Sequence, residues 1–208
     1  MTGSGTPTGY FDTMYRDADD PWHLTERWYE QRKYDLTVAA LPLPRYRRAF
    51  EPACSVGELT RRLAPRCDAV LACDRVASAV RTARSRTAEF PQVTVERMTV
   101  PDEWPEGTFD LVVLSEVLYY FEPTQLDALL ARTVASLEPG GTLVTVHWDH
   151  PVPEHRSTGT GVAAVVGATA GLHLVADHRE DDFVLQVHQR AGHDGQPPAS
   201  PAAREGLV

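Results

Sequence analysis

From Ala49 onward, short apolar runs alternate with longer stretches whose apolar residues recur every three or four positions. The runs Ala49 to Pro52, Ala69 to Asp74, Val93 to Met98, Phe109 to Glu116 and Thr142 to Trp148 predict strands. The stretches Glu58 to Leu63, Val76 to Phe90 and Pro123 to Leu137 predict the helices between them. The last is the clearest: Leu126, Leu129, Leu130, Thr133, Val134 and Leu137 stand at i, i+3, i+4, i+7, i+8 and i+11, one face of a helix. Pro139-Gly140-Gly141 is expected to stop it and turn the chain into the fifth strand. After Trp148 the rhythm changes. A Pro/His/Gly loop (His150 to Gly161) leads to a small-residue helix (Val162 to Thr169), then to two runs, His173 to Arg179 and Phe183 to Gln189, that predict a hairpin. Five strands in βα alternation closed by a hairpin predict an α/β fold, a seven-stranded sheet with helices on both faces.

A segment rich in aromatic residues precedes the first strand, with Trp22, Trp28, Tyr29 and Tyr34 between Asp20 and Tyr34. Two readings stay open for it: a helix packing its aromatic face on the core, or a lid over a ligand at the C-terminal edge of the sheet. The domain is expected to span 10–190, with 10–48 as this cover. Residues 1–9 are small, polar and uncharged, and 191–208 hold three prolines and three glycines; both predict disordered tails.

With 208 residues, 42% hydrophobic and 24% charged, the chain can bury a core as one domain. Asp and Glu outnumber Lys and Arg by 29 to 20, a formal charge of -9; removing the C-terminal tail's -1 leaves -8 on the body. Such a body is a poor coat for phosphodiester backbones, so nucleic acid is not an expected partner. Lys33 is the only lysine, against 19 scattered arginines, which reads as a coding bias. No run nears the roughly 20 apolar residues of a membrane helix, and Met1 to Gly9 lacks a secretory layout, so a cytoplasmic protein without a membrane partner is expected. Cys54, Cys67 and Cys73 are odd in number and lack C-x-x-C spacing, predicting buried thiols and neither disulfide nor zinc.

The candidate chemistry begins at Phe50-Glu-Pro-Ala-Cys-Ser-Val-Gly-Glu-Leu-Thr60, the junction of the first strand and first helix. Small residues there let backbone N–H groups and a helix N-terminus approach a ligand, although a plain turn has the same composition. Asp74 ends the second strand, 17 residues after Gly57, where a carboxylate either accepts two ribose hydroxyls or caps the next helix. The run from Gly107 ends in polar Ser115 and Glu116, then Tyr119 and Tyr120, at the edge where such sheets bind ligands.

The E-x-small-x-small-x-G turn, the acidic end of the second strand, G-x-F-D-L-V-V-L-S-E and L-x-P-G-G-x-L together resemble class I S-adenosylmethionine-dependent methyltransferases. The D-P-W-x5-W-Y-E-x-R-K-Y segment, A-C-S-V-G, S-E-V-L-Y-Y and H-W-x-H-P-V-P resemble the nodulation protein S type, from about Tyr10 to Arg190. The resemblance implies a Rossmann-like, mostly parallel sheet of order 3-2-1-4-5-7-6 with the last strand antiparallel, and S-adenosyl-L-methionine as cofactor without a metal. Carried over residue by residue, Glu51, Ala53, Ser55 and Gly57 surround the methionine portion, Asp74 the ribose, Met98 and Thr99 the adenine, with Arg75 and Ser115 as further cofactor-binding residues. Arg32 is the expected partner of the cofactor carboxylate, and Trp28 or Tyr29 faces the sulfonium. His147 is the candidate proton acceptor, with Glu116 and Tyr119 as further catalytic candidates and Tyr120, Trp148 and His150 on the acceptor side. The implied acceptor is an amine of a small molecule such as an amino sugar, handled by a monomer or homodimer. An O-methyltransferase stays open, as does a degenerate domain without turnover, because Ala53 replaces the usual glycine and no Asp stands near Met98.

Overall fold

The predicted alternation assembles as one sheet in the computed structural model, which describes residues 9–196 and 198–208. The strands are β1 (Tyr46–Pro52), β2 (Cys67–Asp74), β3 (Val93–Arg97), β4 (Phe109–Ser115), β5 (Leu137–Trp148), β6 (Leu172–Arg179) and β7 (Phe183–Arg190). Their order is β3-β2-β1-β4-β5-β7-β6. The first five run parallel, and β7 is antiparallel to both β5 and β6. This is the architecture the resemblance implies.

Alternation along β4 sorts the two halves of the core. Leu111 and Val113 face one side, packed with Tyr34, Leu59 and Leu63 from α2 (Trp28–Ala39) and α3 (Glu58–Leu63). Val112 and Leu114 face the other, packed with Leu126, Leu129 and Leu130 of α5 (Pro123–Ser136) and with Val162 and Val166 of α6 (Gly159–Gly167). A central parallel strand buried on both faces is apolar through its middle, here Leu111 to Leu114, which is why this run was legible as a strand. Helix α4 (Ala77–Arg86) covers β2 and β3 through Val80 and Ala83.

Three elements start three or more residues earlier than the sequence expectation, and α4 ends at Arg86 where Phe90 was expected. β1 starts at Tyr46, because its polar opening is held by Asp110, whose carboxylate accepts the Arg47 and Arg48 N–H groups at 2.8 Å each. β5 starts at Leu137 and carries Pro139-Gly140-Gly141 within it: pairing shifts between Phe109↔Leu137 and Leu111↔Thr142, so the glycines form a strand irregularity where a helix stop was expected. α6 starts at Gly159, where the Thr158 side chain accepts the Gly161 N–H. The N-terminal tail expectation concerns 1–8, outside the described residues, and Gly9. Among the described residues of 191–208 there is one short helix, α7 (Pro201–Arg204), capped by Ser200. Among the described residues no helix is long and apolar enough to cross a membrane.

The cover divides its two expected tasks. α2 packs Tyr34 into the core, while α1 (Tyr10–Asp17) lies over the turn after β1, with Tyr15 clustered against Val56, Val76 and Ala79. That turn places Ala53, Ser55 and Gly57 in the left-handed region, at φ +58°, +52° and +80°. For Gly57 the conformation is matched by crowding: a Cβ there meets Ala83 Cα and Cβ at 3.0 Å. Gly57→Ala should therefore cost about 2 kcal/mol of stability, the range for a forced left-handed residue. Denaturant unfolding checks this; an unchanged midpoint removes the glycine requirement.

Candidate active site

A large cavity of about 1110 Å³ opens at the C-terminal edge of the sheet, between the ends of β1, β2 and β4 and the cover. Open α/β sheets place ligands at this edge, where loops leave the strands. The first wall is the left-handed turn. Asp74 holds it by accepting the Ser55 N–H at 3.0 Å and the Val76 N–H at 2.9 Å. Asp74 thus caps α4 as the sequence allowed, and still lines the cavity. Burial raises its carboxyl despite these two bonds. Tyr15 reaches down from α1 to hydrogen-bond the Ser55 hydroxyl. Glu51, at the end of β1, is 3% exposed and its Oε2 has no hydrogen-bond partner, and burial pushes the carboxyl up to about 8.

The second wall centres on Glu116, just past β4 and itself left-handed at φ +53°. Its Oε1 accepts from Lys33 Nζ at 2.6 Å; its Oε2 accepts the Trp148 N–H at 3.0 Å and the Tyr119 hydroxyl. Burial acts to raise this carboxyl, but the Lys33 charge overrides it and the group lies below its ordinary range. Lys33, 2% exposed on α2, also meets Glu30 at 2.9 Å. Burial opposes its charge, yet the two carboxylates hold the ammonium firmly protonated. Tyr29, edge-on to Trp148 at 5.7 Å, keeps its hydroxyl buried without a partner.

The cover closes both walls at once. Phe11 of α1 packs edge-on against Tyr120 at 5.0 Å and lies 6.0 Å from the Arg75 guanidinium. Across from it His155 stacks on Tyr119, with centroids 3.7 Å apart and planes 15° off parallel.

Among the residues expected at the site, Glu51, Ala53, Ser55, Asp74, Arg75, Met98, Thr99, Ser115, Glu116, Tyr119, Tyr120 and Trp148 line this one cavity. Five do not. Arg32 forms a two-pronged pair with Glu180, 2.7 Å on each arm, and Trp28 is 75% exposed beside it. Gly57 acts behind the wall as the hinge of the turn. His147 is buried under the wall, its Nε2 accepting the Leu118 N–H at 3.1 Å, and burial lowers its pKa to about 4. His150 pairs with Asp182 at 2.8 Å, so Asp182 rather than the imidazole lines the cavity. Sequence reasoning did not single out Lys33, Glu30 or His155 for the site. Lys33's uniqueness was the one visible signal.

The donor set decides what the cavity can hold. Glu30, Glu51, Asp74, Asp102, Glu116, Glu122 and Asp182 face Arg27, Lys33 and Arg75, an acidic lining that favours cationic ligands. The volume exceeds the roughly 300–1,000 Å³ of a usual single-ligand pocket, so a nucleoside-sized cofactor and a second molecule fit together. Among the described residues no group of three His, Cys, Asp or Glu is arranged for a metal ion.

Comparison with known proteins agrees with this geometry. Residues 9–179 match the model of a family described as Nodulation protein S (NodS). The chain is 30% identical over 129 residues to nodulation protein S of Rhizobium tropici, covering 61% of this chain and 54% of that one. It is 30% identical over 128 residues to an uncharacterized methyltransferase of Mycobacterium tuberculosis strain H37Rv, 62% of this chain and 64% of that one. The match thus spans about three fifths of the length of these curated relatives. Among solved structures, one from Pseudomonas syringae described as a methyltransferase is 41% identical with a TM-score of 0.70, covering 79% of this chain and 100% of that one. The N-methyltransferase NodS from Bradyrhizobium japonicum WM9, in complex with S-adenosyl-L-homocysteine, is 25% identical with a TM-score of 0.76, covering 86% and 97%.

The ion network yields a stability prediction. Lys33→Met leaves Glu30 and Glu116 without their counter-ion, and should cost about 3 kcal/mol near neutral pH. Without Lys33 both folded-state pKa values rise above the unfolded value, so protonation relieves the variant. Its deficit relative to wild type should therefore shrink as pH falls from 7.5 to 5. Urea unfolding at the two pH values measures it; a deficit independent of pH refutes this account of Lys33.

Proposed function

This chain belongs to the nodulation protein S (NodS) family, and we propose that it is an S-adenosylmethionine-dependent methyltransferase acting on an amine of a small acceptor, an amino sugar or related metabolite. The observation that carries this reading is the acidic cavity with Glu51 Oε2 buried and unpaired on its wall. A carboxyl pushed up to about 8 stays neutral near pH 7 until a cation arrives to pair with it. The cofactor brings such a cation and a methyl group already activated by its sulfonium. The chain's own task is to bind, to orient and to exclude water, and positioning alone contributes about 7–11 kcal/mol in favourable cases.

On this reading Glu51, Ala53, Ser55 and Ser115 surround the methionine end of the cofactor, with Gly57 setting the turn. Asp74 and Arg75 take the ribose, and Met98 and Thr99 border the adenine. Tyr15 and Phe11 close over them and keep water out. Tyr119, Tyr120 and Trp148 form the acceptor wall, held in place by Glu116. Arg32 serves the fold: its pair with Glu180 straps α2 to the β6–β7 turn. Two features support an amine as acceptor, the excess of carboxylates and the aromatic faces that favour a cation. The Bradyrhizobium japonicum relative, an N-methyltransferase, agrees with it.

Two experiments test this. Calorimetric titration with S-adenosylmethionine at pH 7 in buffers of differing ionisation enthalpy should show binding coupled to proton release, and Glu51→Gln should abolish the release. In Asp74→Ala the turn loses two hydrogen bonds and the ribose its carboxylate, and affinity should fall at least about tenfold, 1.4 kcal/mol. Labelled cofactor incubated with glucosamine, its short oligomers and other small amines should yield labelled product. Binding without transfer to any amine would leave a cofactor-binding module in place of the enzyme.

A further inference from the structure

Building on the N-methyltransferase reading, we propose that His155 is the residue that takes the proton from the acceptor amine. An amine with an ordinary pKa enters as an ammonium and has no lone pair to attack with until it loses a proton. The other titratable groups of the wall are committed to partners, set apart by position or kept protonated. Asp74 spends both oxygens on the turn, and Glu116 receives three donors and lies below the carboxylate range. Glu30 is bound to Lys33, Asp182 to His150 and Glu122 to Arg156. Glu51 stands at the cofactor end and Asp102 on the exposed loop after β3. Tyr29 and Tyr120 are held above the phenol range by burial, and Tyr119 far above it, so none accepts a proton.

His155 is different in each respect. Its ring lines the cavity, and its buried Nδ1 has no hydrogen-bond partner among the described residues. Tyr119 stacks on one face and Tyr120 stands edge-on at 4.9 Å, 86°. The backbone is fixed too: the His155 N–H donates to Val152 O at 3.0 Å, and the next N–H, of Arg156, to Tyr119 O at 2.7 Å. Burial lowers its pKa, against the raising pull of Glu116 and Glu154, so the imidazole is neutral at physiological pH and ready to accept. The charged or titratable groups facing it are Glu116, Tyr119 and Tyr120 from the β4 end, Glu154 from its own loop, and His147 from β5.

The step balances simply. One proton moves from the acceptor nitrogen to His155. The freed lone pair forms the N–CH3 bond as the S–CH3 bond breaks, leaving a neutral thioether and a methylated ammonium. The imidazolium then returns its proton to water at the cavity mouth.

The test uses the full chain, with the amine of the panel above that wild type methylates fastest. His155→Gln should lower kcat about 100-fold. S-adenosylhomocysteine affinity should stay within twofold and the KM for the amine within threefold. Wild-type kcat should fall only as pH drops through the depressed pKa of His155, below the ordinary histidine range; in the Gln variant it should rise about tenfold per pH unit up to the amine's own pKa. His155→Ala should regain activity with added imidazole. A Gln variant with wild-type kcat and pH profile overturns the proposal. So does loss of S-adenosylhomocysteine binding in both variants without imidazole rescue, which assigns His155 to structure. If wild type binds the cofactor product but methylates no amine, the function reading itself fails and this proposal with it.

Discussion

One carboxylate joins the parts of this molecule that must meet for it to work. Glu116 stands where β4 ends, and it receives Lys33 from the cover, Tyr119 from the following turn and the Trp148 N–H from β5. Three chain segments far apart in sequence converge on two oxygen atoms. Taking such charges out of water is costly, and the cost is offset only when every partner is in place. The arrangement therefore cooperates: cover, aromatic wall and central sheet are correct together or not at all. The left-handed backbone of Glu116 belongs to the same bargain, since it aims the carboxylate at all three donors.

Strain is concentrated at this edge of the sheet. Ala53, Ser55 and Glu116 are non-glycine residues in the left-handed region, and all three line the cavity. The turn after β1 keeps its shape because Asp74 and Tyr15 grip Ser55 from two sides. Ala53 carries the strain of its left-handed backbone, and the turn keeps its shape with a methyl where the resemblance implies a glycine.

Most of the sheet was legible because burial imposes a pattern. β4 is apolar on both faces, and the leucines of α5 repeat with the helix, so periodicity found both. The start of β1 was not legible, because Arg47 and Arg48 look like loop residues until Asp110 is seen opposite their N–H groups. Pro139-Gly140-Gly141 reads as a stop in one dimension and becomes a register shift once β4 lies beside it. At the site, the residues read from strand ends and the first turn came together in one cavity, since topology alone carries them there. Arg32, Trp28, His147 and His150 were judged by residue type, and type does not reveal a partner: Glu180, the Leu118 N–H and Asp182 lie far away in the chain. His155 went unnoticed for the converse reason, as one more histidine in a loop until Tyr119 folds against it.

The single lysine has a last consequence. A catalyst that methylates amines carries a hazard of its own making, because any side-chain amine within reach of the donor competes with the acceptor. Here the chain's one ε-amine stands on the cavity wall, 2% exposed and clasped by two carboxylates that keep its lone pair protonated. It is chemically silent at the place where it would be most exposed to alkylation, and the remaining cations are arginines, whose guanidinium groups do not release a proton at physiological pH. On the proposed function, the bias toward arginine leaves the protein inert toward the chemistry it would perform.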